Sequence, residues 1–222
     1  MAKNITALLF LIVLSGCQTT TITKGEAFPN MYGEKPASIL VVPAINLTTA
    51  ADAAALYATT IAKPLAESGY YVFSVPFVEQ FLQREGIIDG EQVNNIPLSK
   101  FKEMFDADAV LFVTLNSWDT NYYVTGGNVT VAAKFELKST TSNQILWQYD
   151  DIVVHNTSGN SGNLIADMIA TALATALVDY VPIANVVNQR IVNSMPVGKY
   201  HKRHNIDAKD PGIIAAKVST AN

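Results

Sequence analysis

The sequence contains one cysteine, Cys17, and only 15% charged residues in a chain of 222. A single cysteine cannot form an intramolecular disulfide. Lysine and arginine number 15 against 19 aspartate and glutamate residues, which gives a formal net charge of -4. This balance leaves no basic surplus for contacts with phosphates, so the electrostatic signature of a nucleic-acid-binding protein is absent.

The motifs of common catalytic sites are also missing. No serine lies in a Gly-x-Ser-x-Gly turn, and no glycine-rich phosphate loop follows a predicted strand. Asp106 and Asp108 flank a predicted helix-to-strand junction, where acidic residues commonly end an element. Asp150 and Asp151 are adjacent in a predicted strand, so their side chains point to opposite faces. We therefore predict that the protein is not an enzyme and binds no cofactor.

All three histidines, His155, His201 and His204, lie late in the chain. On a helix, the spacing of His201 and His204 would bring two imidazoles together at a metal. Lys202 and Arg203 lie between them and would repel a cation, and no cysteine or carboxylate cluster completes a ligand set. We predict a solvated basic tail and no metal site, and contact with an anionic lipid or glycan surface stays open as an alternative. The basic residues of this tail are Lys199, Lys202, Arg203 and Lys209.

The N-terminus resembles a secretory signal. Lys3 supplies a positive charge, and residues 7–14 form an apolar run that is too short to span a bilayer. The run leads directly to Cys17. A free thiol without a use is rare in an exported protein, so the residues around this cysteine decide how it is interpreted.

Leu14, Ser15 and Gly16 match the lipobox that lipoprotein-processing enzymes read before an acylated cysteine. We favour this interpretation over a buried cysteine in a cytosolic protein. A thioether-linked lipid and an amide-linked chain on Cys17 would supply the several acyl tails, palmitate among them, that stable anchoring requires. Gln18 follows the cysteine, and a residue other than aspartate there favours the outer membrane. We predict a lipid-anchored protein of that membrane, with its domain on the periplasmic side.

Composition divides the chain into four parts. Residues 1–16 are the predicted signal peptide, and residues 17–36, which are rich in threonine, glycine and proline, are predicted to be a lipidated flexible tether. Residues 37–196 are predicted to form a single α/β domain. The polar residues 197–222 are predicted to be a C-terminal tail with little fixed structure.

Apolar, β-branched runs predict three strands of a parallel sheet, at Ser38–Pro43, Tyr70–Val75 and Ala109–Leu115. Helical spacing predicts helices between them, over residues 50–67, from Pro76 onward and over Leu98–Phe105. Two βα crossovers follow from this order.

The second half has a different pattern. Residues 129–138 alternate between apolar and polar, and residues 145–155 form a partner strand after a turn at Thr141–Asn143. This arrangement predicts an antiparallel hairpin with one covered face. A broad apolar stripe predicts a final helix over residues 164–180. The predicted fold is α/β, a three-layer mixed β-sheet with helices on both faces.

The aromatic residues are the remaining candidates for a functional surface. Residues 118–123 (Trp-Asp-Thr-Asn-Tyr-Tyr) follow a buried strand and are predicted to be a loop. Large aromatics on loops are enriched at interaction surfaces, so Trp118, Tyr122 and Tyr123 are candidate docking residues. The alternative is that they pack against the hairpin.

Three of these segments, Ile39–Pro43, Pro64–Phe73 and Phe105–Leu111, together resemble a family of bacterial outer-membrane lipoproteins whose members look like the N-terminal domain of the TolB translocation protein. The likeness runs from Cys17 to about Tyr200, and its Gly-Tyr-Tyr-Val run is the most specific part. The resemblance implies a lipoprotein encoded beside a curli-secretion-channel-like lipoprotein, without enzymatic activity. It also implies kinship in fold with lipoproteins that activate penicillin-binding proteins. Family members carry Gly-Pro-Tyr-His near the end, whereas this sequence has lysine at Lys199 in place of the proline.

The absence of catalytic motifs and this resemblance together predict a lipid-anchored, non-catalytic accessory subunit of an outer-membrane assembly or secretion complex. It would act by docking onto a curli-secretion-channel-like lipoprotein. The alternative is a lipoprotein that regulates or activates a peptidoglycan synthase. Binding of a small ligand has no residue signature in its favour.

Overall fold

The computed structural model describes residues 22–123, 126–156 and 181–212. The predicted signal peptide, the lipobox, Cys17 and the predicted helix over residues 164–180 lie outside the described residues. Among the helices that the structure does describe, none is long and apolar enough to cross a membrane.

One mixed sheet of six strands organises the fold. The strands are β1 (Ser38–Val41), β2 (Ile45–Asn46), β3 (Tyr71–Val72), β4 (Ala109–Tyr123), β5 (Gly126–Ser139) and β6 (Ile145–Asn156). Their order is β3-β1-β4-β5-β6, with β2 paired to β4. β1 runs parallel to β3 and β4, whereas β4, β5 and β6 form an antiparallel meander. Both predicted crossovers and the predicted hairpin are therefore confirmed.

Helices cover both faces of this sheet. They are α1 (Lys24–Ala27), α2 (Pro29–Glu34), α3 (Ala53–Glu67), α4 (Val75–Arg84), α5 (Gly90–Asn94), α6 (Leu98–Phe105) and α7 (Val181–Ser194), followed by a 3-10 turn at Asp207–Lys209. Side chains alternate along β1, so Ile39 and Val41 pack into the core under α3 and α7. Leu40 packs into a second core under α4, α5 and α6. The predicted three-layer fold class is confirmed.

The predicted flexible tether is wrong for residues 22–36. This stretch forms α1 and α2, and Phe28 and Met31 are buried in the core. Thr23 caps α1 in a reciprocal capping box with Glu26, whose carboxylate accepts hydrogen bonds from the Thr23 backbone N–H (2.9 Å) and hydroxyl (2.8 Å). Two short helices without a long apolar stripe leave little periodicity in the sequence, which is why the composition resembled a tether.

The predicted loose tail is also wrong as far as residue 212. Its turns are fixed by backbone hydrogen bonds to the start of the described chain, because the N–H of Gly212 donates to the Ile22 carbonyl (2.7 Å) and that of Lys24 to the Asp210 carbonyl (2.8 Å). Asp207 is buried, and its carboxylate accepts a hydrogen bond from the Val197 N–H (2.8 Å). A polar segment made of turns has no periodicity, although it is well packed.

Candidate docking surface

The predicted aromatic loop at residues 118–123 is wrong, because β4 continues through it to Tyr123. Trp118 pairs in register with Val131 on β5 and is only 2% exposed, in the core beneath α3 and α7. Tyr122 and Tyr123 lie at the end of β4, opposite the start of β5. The alternative interpretation, packing against the hairpin, therefore fits Trp118.

A β-bulge explains why the sequence resembled a loop. The pairing of β4 with β5 shifts between Leu115 and Ser117. One extra residue at a bulge moves every later side chain to the opposite face. In a regular strand, Leu115 and Trp118 would lie on opposite faces because they are three residues apart. The bulge places both in the core, so the apolar residues of the sequence do not alternate regularly here.

Exposed aromatic side chains lie instead around β3 and α4. Tyr71 is 54% exposed and Phe77 is 57% exposed. A chain of edge-to-face ring contacts begins at Tyr71 and passes to Phe73 (centroids 5.1 Å apart), then to Phe105 (6.2 Å) and to Phe81 (5.0 Å). Phe77 lies one helical turn before Phe81 on the same side of α4. We call these five residues the aromatic strip.

Helix α4 positions this strip. Pro76 lies in its first turn, where a missing N–H costs nothing. Val78 and Leu82 are fully buried against the sheet. Phe77 and Phe81 occupy the neighbouring side of the helix, toward β3 and α6, so α4 cannot bury all of its apolar residues at once.

A crevice of about 510 Å³ opens beyond the carboxyl end of β1, on the other side of α4. After β1 the chain passes to one face of the sheet through α3, and after the adjacent β3 it passes to the other face through α4. In open α/β sheets, this divergence of neighbouring connections creates a crevice that commonly receives ligands. The lining residues are Pro43, Ala44, Ile45, Asn46, Ala51, Ala54, Ala55, Glu79, Gln83, Ile87, Ile88, Asp89, Gly90 and Glu91.

The chemistry of the crevice is that of a receptor for apolar and basic groups. Its charged side chains are all carboxylates, and its described lining contains no serine, cysteine, histidine, lysine or arginine. Burial raises the pKa of Glu79. Asp89 is already engaged, since its carboxylate accepts a hydrogen bond from the Gln92 N–H (2.8 Å) and caps α5. Ile88, at 69% exposure, adds an apolar side chain to the lining.

The acidic pairs that the sequence singled out do not form a site. Asp106 ends α6 in the left-handed conformation (φ 53°), and Asp108 holds the start of β1 through hydrogen bonds from Ala37 and Ser38. Asp150 and Asp151 are neighbours in β6. Within the described ranges, no group of three or more His, Cys, Asp or Glu side chains is placed to hold a metal.

Comparison with known proteins finds similarity to a family profile, to a curated relative and to a solved structure. A family profile described as "Putative lipoprotein GNA1162-like" matches residues 28–199. A curated putative lipoprotein of Neisseria meningitidis serogroup B is 27% identical over 182 residues, which cover 81% of this chain and 84% of the relative. The crystal structure of lipoprotein GNA1162 from Neisseria meningitidis superposes with a TM-score of 0.53 and 31% identity, over 63% of this chain and 96% of that one.

Proposed function

This chain belongs to the family of GNA1162-like putative lipoproteins, and we propose that it is a lipid-anchored, non-catalytic accessory subunit of a cell-envelope assembly that acts by docking onto a partner protein. The observation that carries the docking part is the exposure of Tyr71 and Phe77 in the aromatic strip. Aromatic side chains over half exposed are costly to leave in water, and they dominate the energy of protein interfaces. The absence from the sequence of a Gly-x-Ser-x-Gly turn and of a glycine-rich phosphate loop supports a role without catalysis.

The two surfaces that flank α4 indicate which chemical groups a partner should present. The aromatic strip fits an apolar surface, and the crevice carries the carboxylates of Glu79, Asp89 and Glu91. A matching partner presents apolar side chains to Phe77 and at least one lysine or arginine to the crevice. We propose the curli-secretion-channel-like lipoprotein implied by the sequence resemblance as this partner, on the periplasmic side of the outer membrane.

The anchor is tested by Cys17→Ser. We expect this variant to lose labelling by a radioactive or clickable palmitate analogue and to remain as a soluble or uncleaved form, because no other cysteine can take its place. A variant with acyl labelling equal to that of the unaltered chain contradicts anchorage at Cys17.

Docking is tested by crosslinking in intact envelopes. Phe77→Ala should reduce the yield of the crosslinked partner, because a central interface aromatic contributes about 2 kcal/mol or more, roughly a thirtyfold change in affinity. Ile152→Ala is the matched control, since Ile152 is 50% exposed on β6 at the opposite edge of the sheet. Equal yields from both variants contradict docking through the strip. Recovery of a peptidoglycan synthase as the crosslinked protein contradicts the choice of partner.

A further inference from the structure

The two ends of the described chain meet at one place. Thr23 forms an antiparallel bridge with Pro211, next to the backbone hydrogen bonds between residues 22–24 and 210–212. The ammonium group of Lys24 is buried and donates hydrogen bonds to the carbonyls of Asn193 (3.1 Å) and Met195 (2.8 Å). The C-terminal segment, defined as residues 197–212, is thereby fixed beside the point where the chain enters the fold.

This segment presents positive charge to solvent. Lys199, Lys202 and Lys209 are exposed, and none of them forms an ion pair with a residue that the structure describes. Arg203 is exposed as well but is paired with Asp210 at 2.8 Å. The local surplus of lysine stands out in a chain whose formal net charge is -4.

The acidic groups nearby are already engaged. The carboxylate of Asp207 is buried, and that of Asp210 is neutralised by its ion pair. The Glu26 carboxylate in α1 accepts hydrogen bonds from the Thr23 backbone N–H and hydroxyl. Apolar side chains accompany the lysines, because Tyr200 is 67% exposed and Ile206 is 61% exposed. Lysine, tyrosine and isoleucine together are the composition of surfaces that rest in lipid headgroups.

The length of chain before the fold places this surface close to the lipid anchor. Ile22 follows Cys17 by five residues. Even fully extended, five residues span no more than about 18 Å. An acylated Cys17 therefore keeps residues 210–212, which are hydrogen-bonded to residues 22–24, close to the lipid anchor.

We propose that the C-terminal segment is the membrane-facing surface of the domain, with its lysines on anionic phospholipid headgroups and with Tyr200 and Ile206 at the headgroup level. The proposal rests on the anchor at Cys17 proposed above. The segment also contacts Ser68 and Gly69, which precede β3, so it lies at the amino end of the parallel strands. The crevice lies at their carboxyl end and would point away from the bilayer, toward a partner.

The first test removes the lipid anchor, so that it measures membrane binding by the C-terminal segment alone. The mature chain from residue 17, carrying Cys17→Ser, is sedimented with vesicles of phosphatidylcholine or of an equimolar mixture with phosphatidylglycerol. We expect binding to the anionic vesicles that falls with added salt. Lys202→Gln with Lys209→Gln should weaken it about fivefold for each lysine.

The matched control is Lys63→Gln with Lys100→Gln, which removes the same charge from exposed sites on α3 and α6. We expect this control to bind the anionic vesicles like the parent chain. Equal binding to neutral and anionic vesicles, or an equal loss in the control, overturns the proposed surface.

The second test uses the acylated chain in vesicles that contain brominated lipid. Because Cys17 is the only native cysteine, a fluorophore on Ile206→Cys or on Ile88→Cys reports one position. We expect quenching at position 206 and not at position 88, and the reverse pattern overturns the orientation. If no variant associates with these vesicles, anchorage at Cys17 has failed. The first test then still decides whether the C-terminal segment binds anionic lipid.

Discussion

Asp108 shows how a single carboxylate organises the amino edge of the sheet. It accepts hydrogen bonds from the backbone N–H groups of Ala37 (3.0 Å) and Ser38 (3.1 Å) and from the Ser38 hydroxyl (3.0 Å). Burial raises the pKa of Asp108, but these hydrogen bonds and the one from Lys102 outweigh it, so the pKa lies below its ordinary value of 3.8. The carboxylate therefore stabilises the fold in its ionised form.

We expect Asp108→Ala to lower the free energy of unfolding at neutral pH by about 1–2 kcal/mol, at the low end for a charged hydrogen-bonded group because the side chain is 39% exposed. A depressed pKa stabilises the fold fully above the ordinary value, and this contribution is lost as the pH falls through the lowered one. The difference between parent and variant in urea titrations should therefore shrink below about pH 3.8. Asp106→Asn, at an exposed helix end, is the control, and a difference that grows in acid contradicts this role.

At the scale of elements, the turn before β3 and the C-terminal segment form one packed unit. The N–H groups of Gly198 and Tyr200 donate to the carbonyls of Ser68 (2.8 Å) and Gly69 (3.0 Å). A Cβ atom on Gly198 would lie 2.3 Å from the Gly69 carbonyl oxygen, so glycine is required there. The Gly-Tyr-Tyr-Val run, which is the most specific part of the family resemblance, and the Gly-Lys-Tyr-His run, where the sequence departs from it, thus meet in space.

This contact accounts for the proline that the sequence resemblance implies at the position of Lys199. The His201 N–H donates to the Gly198 carbonyl (3.1 Å), which makes Lys199 the second residue of a turn, a position that favours proline. Lys199→Pro should raise the free energy of unfolding by about 0.4–1 kcal/mol, because it restricts the unfolded chain. Tyr200→Pro removes the hydrogen bond to Gly69 and should lower it. Denaturant titration of both variants measures the change in the free energy of unfolding, which we expect to be positive for Lys199→Pro and negative for Tyr200→Pro. A loss of stability in Lys199→Pro contradicts the turn assignment.

For the whole molecule, the sequence predicted the elements whose apolar pattern is unbroken. The doubly buried runs at β1 and β4 predicted parallel strands joined by crossovers, and the alternating pattern at β5 and β6 predicted the antiparallel hairpin. The capped helix α1 and the turns after residue 196 were missed, since hydrogen bonds rather than apolar faces stabilise them. The resemblance to the TolB N-terminal domain stays a prediction.

The exposed residues of the aromatic strip could not be predicted from periodicity alone. In α4, Phe77, Phe81 and Leu82 recur at helical spacing and look equally fit for a core. The structure buries Leu82 completely and leaves Phe77 57% exposed, because the neighbours β3 and α6 decide which side is covered. Trp118 was misassigned for the opposite reason, since the bulge before it hides its place in the core.

The most direct test measures two quantities on Trp118→Ala and Phe77→Ala. These are the melting temperature of the full-length protein and the yield of the crosslinked partner in intact envelopes. Trp118→Ala should cost roughly 3–5 kcal/mol of folding stability, because it opens a cavity in the core. Phe77→Ala should melt within a few degrees of the parent chain and lose most of the crosslinked partner. A Phe77→Ala protein that keeps its partner, or that loses it only as it unfolds, would contradict docking through the aromatic strip.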